Sequence, residues 1–513
     1  MEGIRILSTH KVASSLQQLA DRVAQARSLG KKTVLCHGVF DLLHAGHLMH
    51  LAAARRQGDF LVVTVTPDRF VNKGPGRPAF EERLRAFAVA ALEVVDWVSI
   101  NEWPTAVEAI RLLSPDVYVK GQDYADASKD LTGGIKEEAA AVNEVGARIH
   151  FTNEQKFSSS HLINRFFSSH PAKTQAYLED LRLRYRADDI LGMLDGYSVL
   201  RPLVVGEAIV DEYCYTTPLA KAPRESIIAA KYESTELFAG GAVATANHLA
   251  GFCDEVTLVA SLGDDQYQEV IKSALKPNVN FTPIVIPDRP TTRKRRFIEP
   301  SHLTKLFELQ YLDDTDIDGS VEDQTVQSLE HLLASHDLVV LNDFGHGFIT
   351  SRIRQLLCGS DSYLALNTQT NSANLGFNPI TKYDRAHYCC IDQAEAKLAS
   401  GLLHGSAVEC GRTLMRRVNA DWFMITTGIH GATLLLNDGT VSECPALSSD
   451  VVDRVGAGDA FFALTSPWTY KENPSDLVAF VGNCVGALQV GIVGNRSSVE
   501  PIPLYRFIST LME

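Results

Sequence analysis

Two rhythms alternate along the chain: short unbroken apolar runs, and longer stretches with one apolar face. Together they predict an α/β protein from end to end. Val12 to Leu29 carries Leu16, Leu19 and Val23 on one face and reads as a helix. Thr33–Cys36 reads as a buried strand. After Gly38 and Asp41 it gives way to helical spacing through Leu48, Leu51 and Ala54. Further strands are predicted at Phe60–Val65 and Asp96–Ile100, from Asp116 into a Lys-Gly-x-Asp-Tyr ending, and at Ala147–Phe151, with a helix from Glu82 to Leu92. Strands alternating with helices imply a parallel sheet, so residues 30–167 form one complete domain. Residues 168–200 hold a Ser-Ser-His-Pro stretch and one charged helix with leucines at helical spacing, a linking element. A fresh strand, Leu203–Glu207, leads to Ile209–Tyr213 and opens a second α/β region. The expected division is 1–167, 168–200 and 201–513.

At 513 residues the chain exceeds one ordinary core, and 45% hydrophobic with 21% charged residues describes a folded protein. A formal net charge of −14 argues against general nucleic-acid binding and turns attention to small phosphates held in local pockets. Nine cysteines are scattered with no Cys-x-x-Cys pair and no zinc spacing, as expected of reduced thiols in the cytoplasm. No signal peptide is indicated at the N-terminus, and no run approaches the roughly 20 apolar residues of a membrane span.

The first candidate chemistry sits where the first strand turns into its helix. Free N–H groups at a helix start point at an anion. His44 and His47 lie one helical turn apart there, with Gly46 between them, so both rings can reach one anion from the same side. His-x-Gly-His directly after Gly38-Val39-Phe40-Asp41 resembles the nucleotidyltransferases of the cytidylyltransferase type. The resemblance implies that His44 and His47 stabilise a pentavalent α-phosphate by position and positive charge, without a covalent intermediate. It also implies a nucleotide site of Gly38, Phe40, Asp41, the loop cation Lys73 with Arg77, then Lys120, Gly121 and Asp123, and Ser159 and Ser160 at a further helix start.

The second candidate is Asp453-Arg454-Val455-Gly456-Ala457-Gly458-Asp459, followed by an apolar helical run. Consecutive N–H groups of Gly456, Ala457 and Gly458 make an anion hole, and Asp459 can accept the proton of an attacking hydroxyl. This motif resembles the ribokinase-like (PfkB) sugar kinases. In that light Asp211, Gly240 and Gly241 are the sugar site, and Lys294 and Arg296, alternating with Thr292 on one strand, face a substrate phosphate. Glu395 is the acid near metal and phosphates, Thr427, Gly428 and Gly431 form the ATP-side turn, and Asn483 lies in a small-residue helix near adenine. The implied fold is an N-terminal Rossmann-like nucleotidyltransferase domain followed by a ribokinase-like α/β domain with a small β lid.

Together the two halves resemble the bifunctional heptose-phosphate kinase and adenylyltransferase family, which makes ADP-heptose for lipopolysaccharide, with the domain order reversed. That resemblance implies ATP at the kinase site, ATP or CTP at the transferase site, Mg²⁺ carried on phosphate rather than by a protein cage, sugar phosphates as substrates, and a homodimer formed through the lid. The chain departs from that family at Ala244, His346 and Asn367, where an asparagine, a lysine and an aspartate are usual. Loss of a buried polar partner costs about 1 to 3 kcal/mol, enough to change which sugar is accepted. Two alternatives stay open: a transferase using CTP on a polyol or alcohol phosphate, and a degenerate kinase half that only binds ligand and regulates.

Overall fold

The computed structural model describes residues 10–71, 73–121, 134–152, 170–221, 228–448 and 451–513. Their contacts divide the chain into two units, Met1–Ser169 with Tyr505–Leu511 and Glu513, and His170–Leu504 with Met512.

In the first unit, β1 (Thr33–Gly38), β2 (Phe60–Val65), β3 (Trp97–Ile100), β4 (Val117–Gly121) and β5 (Arg148–Thr152) form a parallel sheet in the order β3-β2-β1-β4-β5. The strands read as unbroken apolar runs because both faces are covered. Val34 and Cys36 pack with Leu51 and Ala54 of α2 (Ala45–Arg55), while Leu35 on the other face packs with Leu16 and Leu19 of α1 (Leu16–Ser28). α1 starts later than its apolar pattern suggests, because the Ser15 hydroxyl caps the Gln18 N–H at 3.1 Å. Val12 leaves the helix to bridge Val98. The strand order reverses between β1 and β4, which opens a crevice at their carboxyl ends where β1 runs into α2.

The second unit contains β6 (Pro202–Lys221), β7 (Ile228–Gly241), β8 (Val256–Gly263), β9 (Val279–Ile286), β10 (Thr292–Glu299), β11 (Thr304–Tyr311), β12 (Leu338–Asp343), β13 (Tyr363–Thr368), β14 (Ala386–Asp392), β15 (Ala420–Thr426), β16 (Ala432–Leu436) and β17 (Val441–Cys444). The central sheet runs β9-β8-β6-β12-β13-β14-β15-β16-β17, with all pairs parallel except those β16 makes with β15 and β17. The expected strand Leu203–Glu207 and the segment Ile209–Tyr213 to which it leads are parts of one 20-residue strand. Its first part lies between β8 and β12, and its second part leaves the sheet to carry a flap with β7, β10 and β11. Gly206 makes this possible, since a Cβ there would meet the Asn342 carbonyl at 2.3 Å. The linking segment is two helices, Ala172–Arg184 and Ala187–Asp195, where one was expected. The chain turns extended at Tyr185 and Arg186, and Asp189 caps the second helix start. Both belong to the second unit.

Candidate active sites

His44 is the N-cap of α2, with extended backbone, and its Nδ1 accepts the Gly46 N–H at 3.0 Å. That bond fixes the tautomer and leaves Nε2–H as the ring's donor. The His47 ring stacks on it with centroids 4.0 Å apart, and Phe40 backs His47 at 5.5 Å. Gly38 admits that packing, because a Cβ there would lie 3.1 Å from the Phe40 ring. The His47 Nδ1 is buried without a hydrogen-bond partner.

The expectation that both imidazoles carry positive charge is corrected by this geometry. Burial pushes His47 down to about 3, helped by His44, His50 and Lys73, and burial followed by Lys73 lowers His44. At neutral pH both rings are neutral donors, and the charge beside them belongs to Lys73.

The other expected nucleotide residues divide. The Asp41 carboxylate accepts the N–H groups of Ala79 at 2.9 Å and Phe80 at 3.2 Å, so it shapes the loop. Arg85, 1% exposed, locks the same loop by donating to the carbonyls of Val39, Phe80 and Thr66 and to Asp68. Lys120 is buried and its Nζ lies 2.8 Å from Glu138, an ion pair between β4 and a neighbouring helix. Gly121 ends β4 with open space where a side chain would be. Asp123, Ser159 and Ser160 lie outside the described residues.

In the second unit Gly456, at φ 78°, caps the helix Ala457–Tyr470. A Cβ on Gly458 would meet nothing within 4 Å, so there is room for a phosphate over the helix start. The Ala457 N–H turns back to the Arg454 carbonyl at 3.4 Å. Asp459 follows in the first turn, and burial, then the negative charge of Asp211, push its carboxyl up to about 7 against the pull of Lys294. A carboxylate poised near neutrality suits a general base.

Asp211, Lys294 and Arg296 all project from the flap, and Arg296 is not placed as expected. Arg296 is committed to protein, pairing with Asp211 and, at 2.7 Å through Nε, with Glu308. The side chain of Lys294, 7% exposed, makes no hydrogen bond or ion pair among the described residues, yet its charge is felt by both Asp459 and His346. Lys294 is therefore a buried cation not committed to a protein carboxylate among the described residues. The paired glycines fit tightly beside it: a Cβ on Gly240 would sit 2.5 Å from Asp211 Oδ2, and one on Gly241, at φ 63°, would sit 2.5 Å from the Glu207 carbonyl. His346 is held between Thr292, 3.4 Å from Nδ1, and the Asn371 amide, 3.1 Å from Nε2, and burial pushes it down to about 4. Ala244 is buried in the helix Ala242–Leu249, and the Asn367 amide donates to the Cys390 carbonyl at 2.7 Å.

On the opposite side, Glu395 accepts the Thr370 N–H at 2.7 Å, and burial, with Asp392 and then Asp459, pushes its carboxyl up to about 7. Thr427 closes the turn through Gly428 by donating to the Gly431 carbonyl at 2.9 Å. A Cβ on Gly431 would fall 1.9 Å from the Cys444 carbonyl. Asn483 donates to Ala479 inside its own helix, at 2.8 Å. Among the described residues no three His, Cys, Asp or Glu side chains converge to hold a metal ion.

Two residues escaped the sequence reading. Asn495 has its Nδ2 3.5 Å from Asp211 Oδ2, and its buried Oδ1 has no donor. Asp453 accepts from Lys305 at 2.6 Å, Tyr213 at 2.5 Å, and the N–H groups of Gly494 at 2.9 Å and Val455 at 3.2 Å. Burial would raise the Asp453 carboxyl, but these partners hold it below the ordinary range. Asp453 was visible as the first acid of its motif. Asn495 carried no such signal beyond its place directly after the small-residue run Asn483–Gly494, whose helical part ends at Gln489.

Comparison with known proteins agrees with this division. The cytidylyltransferase-like family pattern matches residues 35–165, and that of the pfkB family carbohydrate kinases matches residues 201–502, more than half of the chain. The chain is 44% identical over 150 residues to the bifunctional protein HldE of Edwardsiella ictaluri, covering 29% of this chain and 30% of that protein. It is 45% identical over 124 residues to the bifunctional protein HldE of Methylobacillus flagellatus, covering 24% and 25%. The alignments thus span less than a third of these relatives. A crystal structure of a phosphofructokinase-2 mutant from Escherichia coli superposes with a TM-score of 0.50 at 11% identity, covering 61% of this chain and all of the other, a likeness of fold. On the extent of the match over 201–502, the chain belongs to the pfkB family of carbohydrate kinases.

Proposed function

We propose that the protein is a bifunctional enzyme of sugar-nucleotide synthesis. Its kinase half transfers the γ-phosphoryl of ATP to the anomeric hydroxyl of a sugar phosphate. Its nucleotidyltransferase half joins a sugar 1-phosphate to the nucleotide of ATP or CTP and releases pyrophosphate. The observation that carries the reading is Asp459, a carboxyl pushed up to about 7 at a helix start with open space over Gly458. In the kinase step the substrate hydroxyl gives its proton to the Asp459 carboxylate as its oxygen bonds the γ-phosphorus and ADP leaves. The Gly458 and neighbouring N–H groups hold the charge on the transferred group. Lys294 takes the anionic end of the sugar. Mg²⁺ supplies charge neutralisation on the triphosphate. Glu395, destabilised as an anion by Asp392 and Asp459, is the residue that would gain from its nearness.

In the transferase step, neutral His44 and His47 donate to the α-phosphate while the sugar 1-phosphate oxygen attacks and pyrophosphate leaves. The two activities suit a cytoplasmic enzyme that uses nucleoside triphosphates. The exposed Leu306, Phe307 and Leu309 of β11 offer a flap surface through which a homodimer would form. The alternative, a kinase half that binds ligand without turnover, draws on Ala244, on His346 and on Asn367, whose amide is spent on Cys390. ADP release from ATP with a panel of sugar phosphates, heptose 7-phosphate among them, tests the kinase reading. ATP binding by calorimetry with no turnover on any sugar overturns it in favour of the alternative.

A further inference from the structure

The flap strand β11 lies at the sheet edge, paired with β10 alone among the described residues, and residues Thr304–Leu309 are exposed along its length. An edge strand held on one side opens readily unless something ties it down. Lys305 reaches from it to the Asp453 carboxylate, whose side chain is only 3% exposed, at 2.6 Å. The same carboxylate accepts the Tyr213 hydroxyl from the flap part of β6, and the N–H groups of Val455 and Gly494 from the body of the unit. All the accepting capacity of one carboxylate is used, half by the flap and half by the turn leading into Gly456 and the loop carrying Asn495. Beneath it Tyr213, Phe238 and Ile298 of the flap pack with Leu303, Val455 and Val493. The flap also carries Asp211 and Lys294, while the body carries the Gly456–Asp459 helix start.

We infer that Lys305 and Asp453 are positioning residues, a latch that docks the flap with its sugar-binding side chains onto the anion hole, so that closing the flap and setting the Gly456 turn are one event. This rests on the kinase reading for its consequence and on the ion pair for its geometry. A solvent-exposed pair contributes little. Here the carboxylate is buried, and losing Lys305 leaves it short of its strongest partner, so both elements it joins are released together.

Hydrogen exchange on the full chain, bound to a non-hydrolysable ATP analogue, decides it. Lys305→Met is expected to speed exchange about tenfold or more both along Thr304–Tyr311 and across Val455–Asp459, and Lys305→Arg to restore both. Faster exchange along Thr304–Tyr311 alone, or no change, overturns the latch. With heptose 7-phosphate and ATP, Lys305→Met is further expected to lower kcat about tenfold with KM for ATP unchanged. A parent protein that turns over no sugar phosphate would sink the kinase reading, while the exchange result still decides the latch.

Discussion

A methyl group on Gly456 would lie 2.1 Å from the Oδ1 of Asn495, the residue whose amide nitrogen faces Asp211. One side chain thereby fills the gap between Asp211 and the Gly456 helix start, and only glycine, at φ 78°, leaves room for it. Gly456→Ala is expected to cost about a hundredfold in kcat for sugar-dependent ADP release. Asn495→Ala is expected to raise KM for the sugar several-fold while leaving KM for ATP unchanged. Steady-state kinetics with both substrates varied checks the pair. An unchanged sugar KM would show that Asn495 does not orient Asp211.

Lys294, not Arg296, should discriminate phosphorylated from neutral sugars, because Arg296 is already bound to Asp211 and Glu308. Lys294→Met is expected to raise KM for a sugar phosphate about ten- to a hundredfold and to leave that of the corresponding free sugar alone. Equal losses on both would assign Lys294 to the shared hydroxyls or to Asp459 instead.

The transferase imidazoles supply a pH test. Burial holds His47 at about 3 and, with Lys73, shifts His44 below its ordinary value, so His47 is neutral at neutral pH and His44 is biased to its neutral form. A mechanism needing imidazolium would lose rate as pH rises through 6.5. Neutral donors predict a pyrophosphate-release rate that is flat from pH 6 to 8. His44→Ala should lower it by about two to three powers of ten. A steady fall across that window would restore the charged pair.

Local signals were readable from sequence wherever the chemistry is local. His44, Gly46 and His47 share one helix start, and Gly456 to Asp459 another, so spacing alone placed their groups together. What depended on distant partners was not readable. Lys120 and Arg296 look like free cations until the fold brings Glu138, and Asp211 with Glu308, beside them. The charge of His47 depends on its burial against Phe40, which no spacing records. The length of β6 was not readable either, because its first part is held by β8 and β12 and its second by β7 and β10, strands distant in sequence.

The Asp459 carboxyl carries a stability prediction as well as a kinetic one. Its pKa rises from 3.8 to about 7 on folding, so the folded state favours the protonated form. That stabilisation is fully present below pH 4 and is lost as pH rises through about 7. Asp459→Asn should therefore raise the melting temperature of the second unit by several degrees at pH 8 and not at pH 4. In parallel, kcat/KM of the parent for sugar should fall about tenfold per pH unit below 7, as the base is protonated. Thermal scans at the two pH values and a pH–rate profile check both halves.

The most direct measurement follows ADP release and pyrophosphate release side by side in the full chain and in two variants. Asp459→Asn is predicted to abolish sugar-dependent ADP release while pyrophosphate release from nucleotide and sugar 1-phosphate persists, and His44→Ala to do the reverse. If ADP release survived Asp459→Asn, or if either substitution removed both activities from a chain that remained folded, the assignment of separate phosphoryl and nucleotidyl chemistry to the two units would be contradicted.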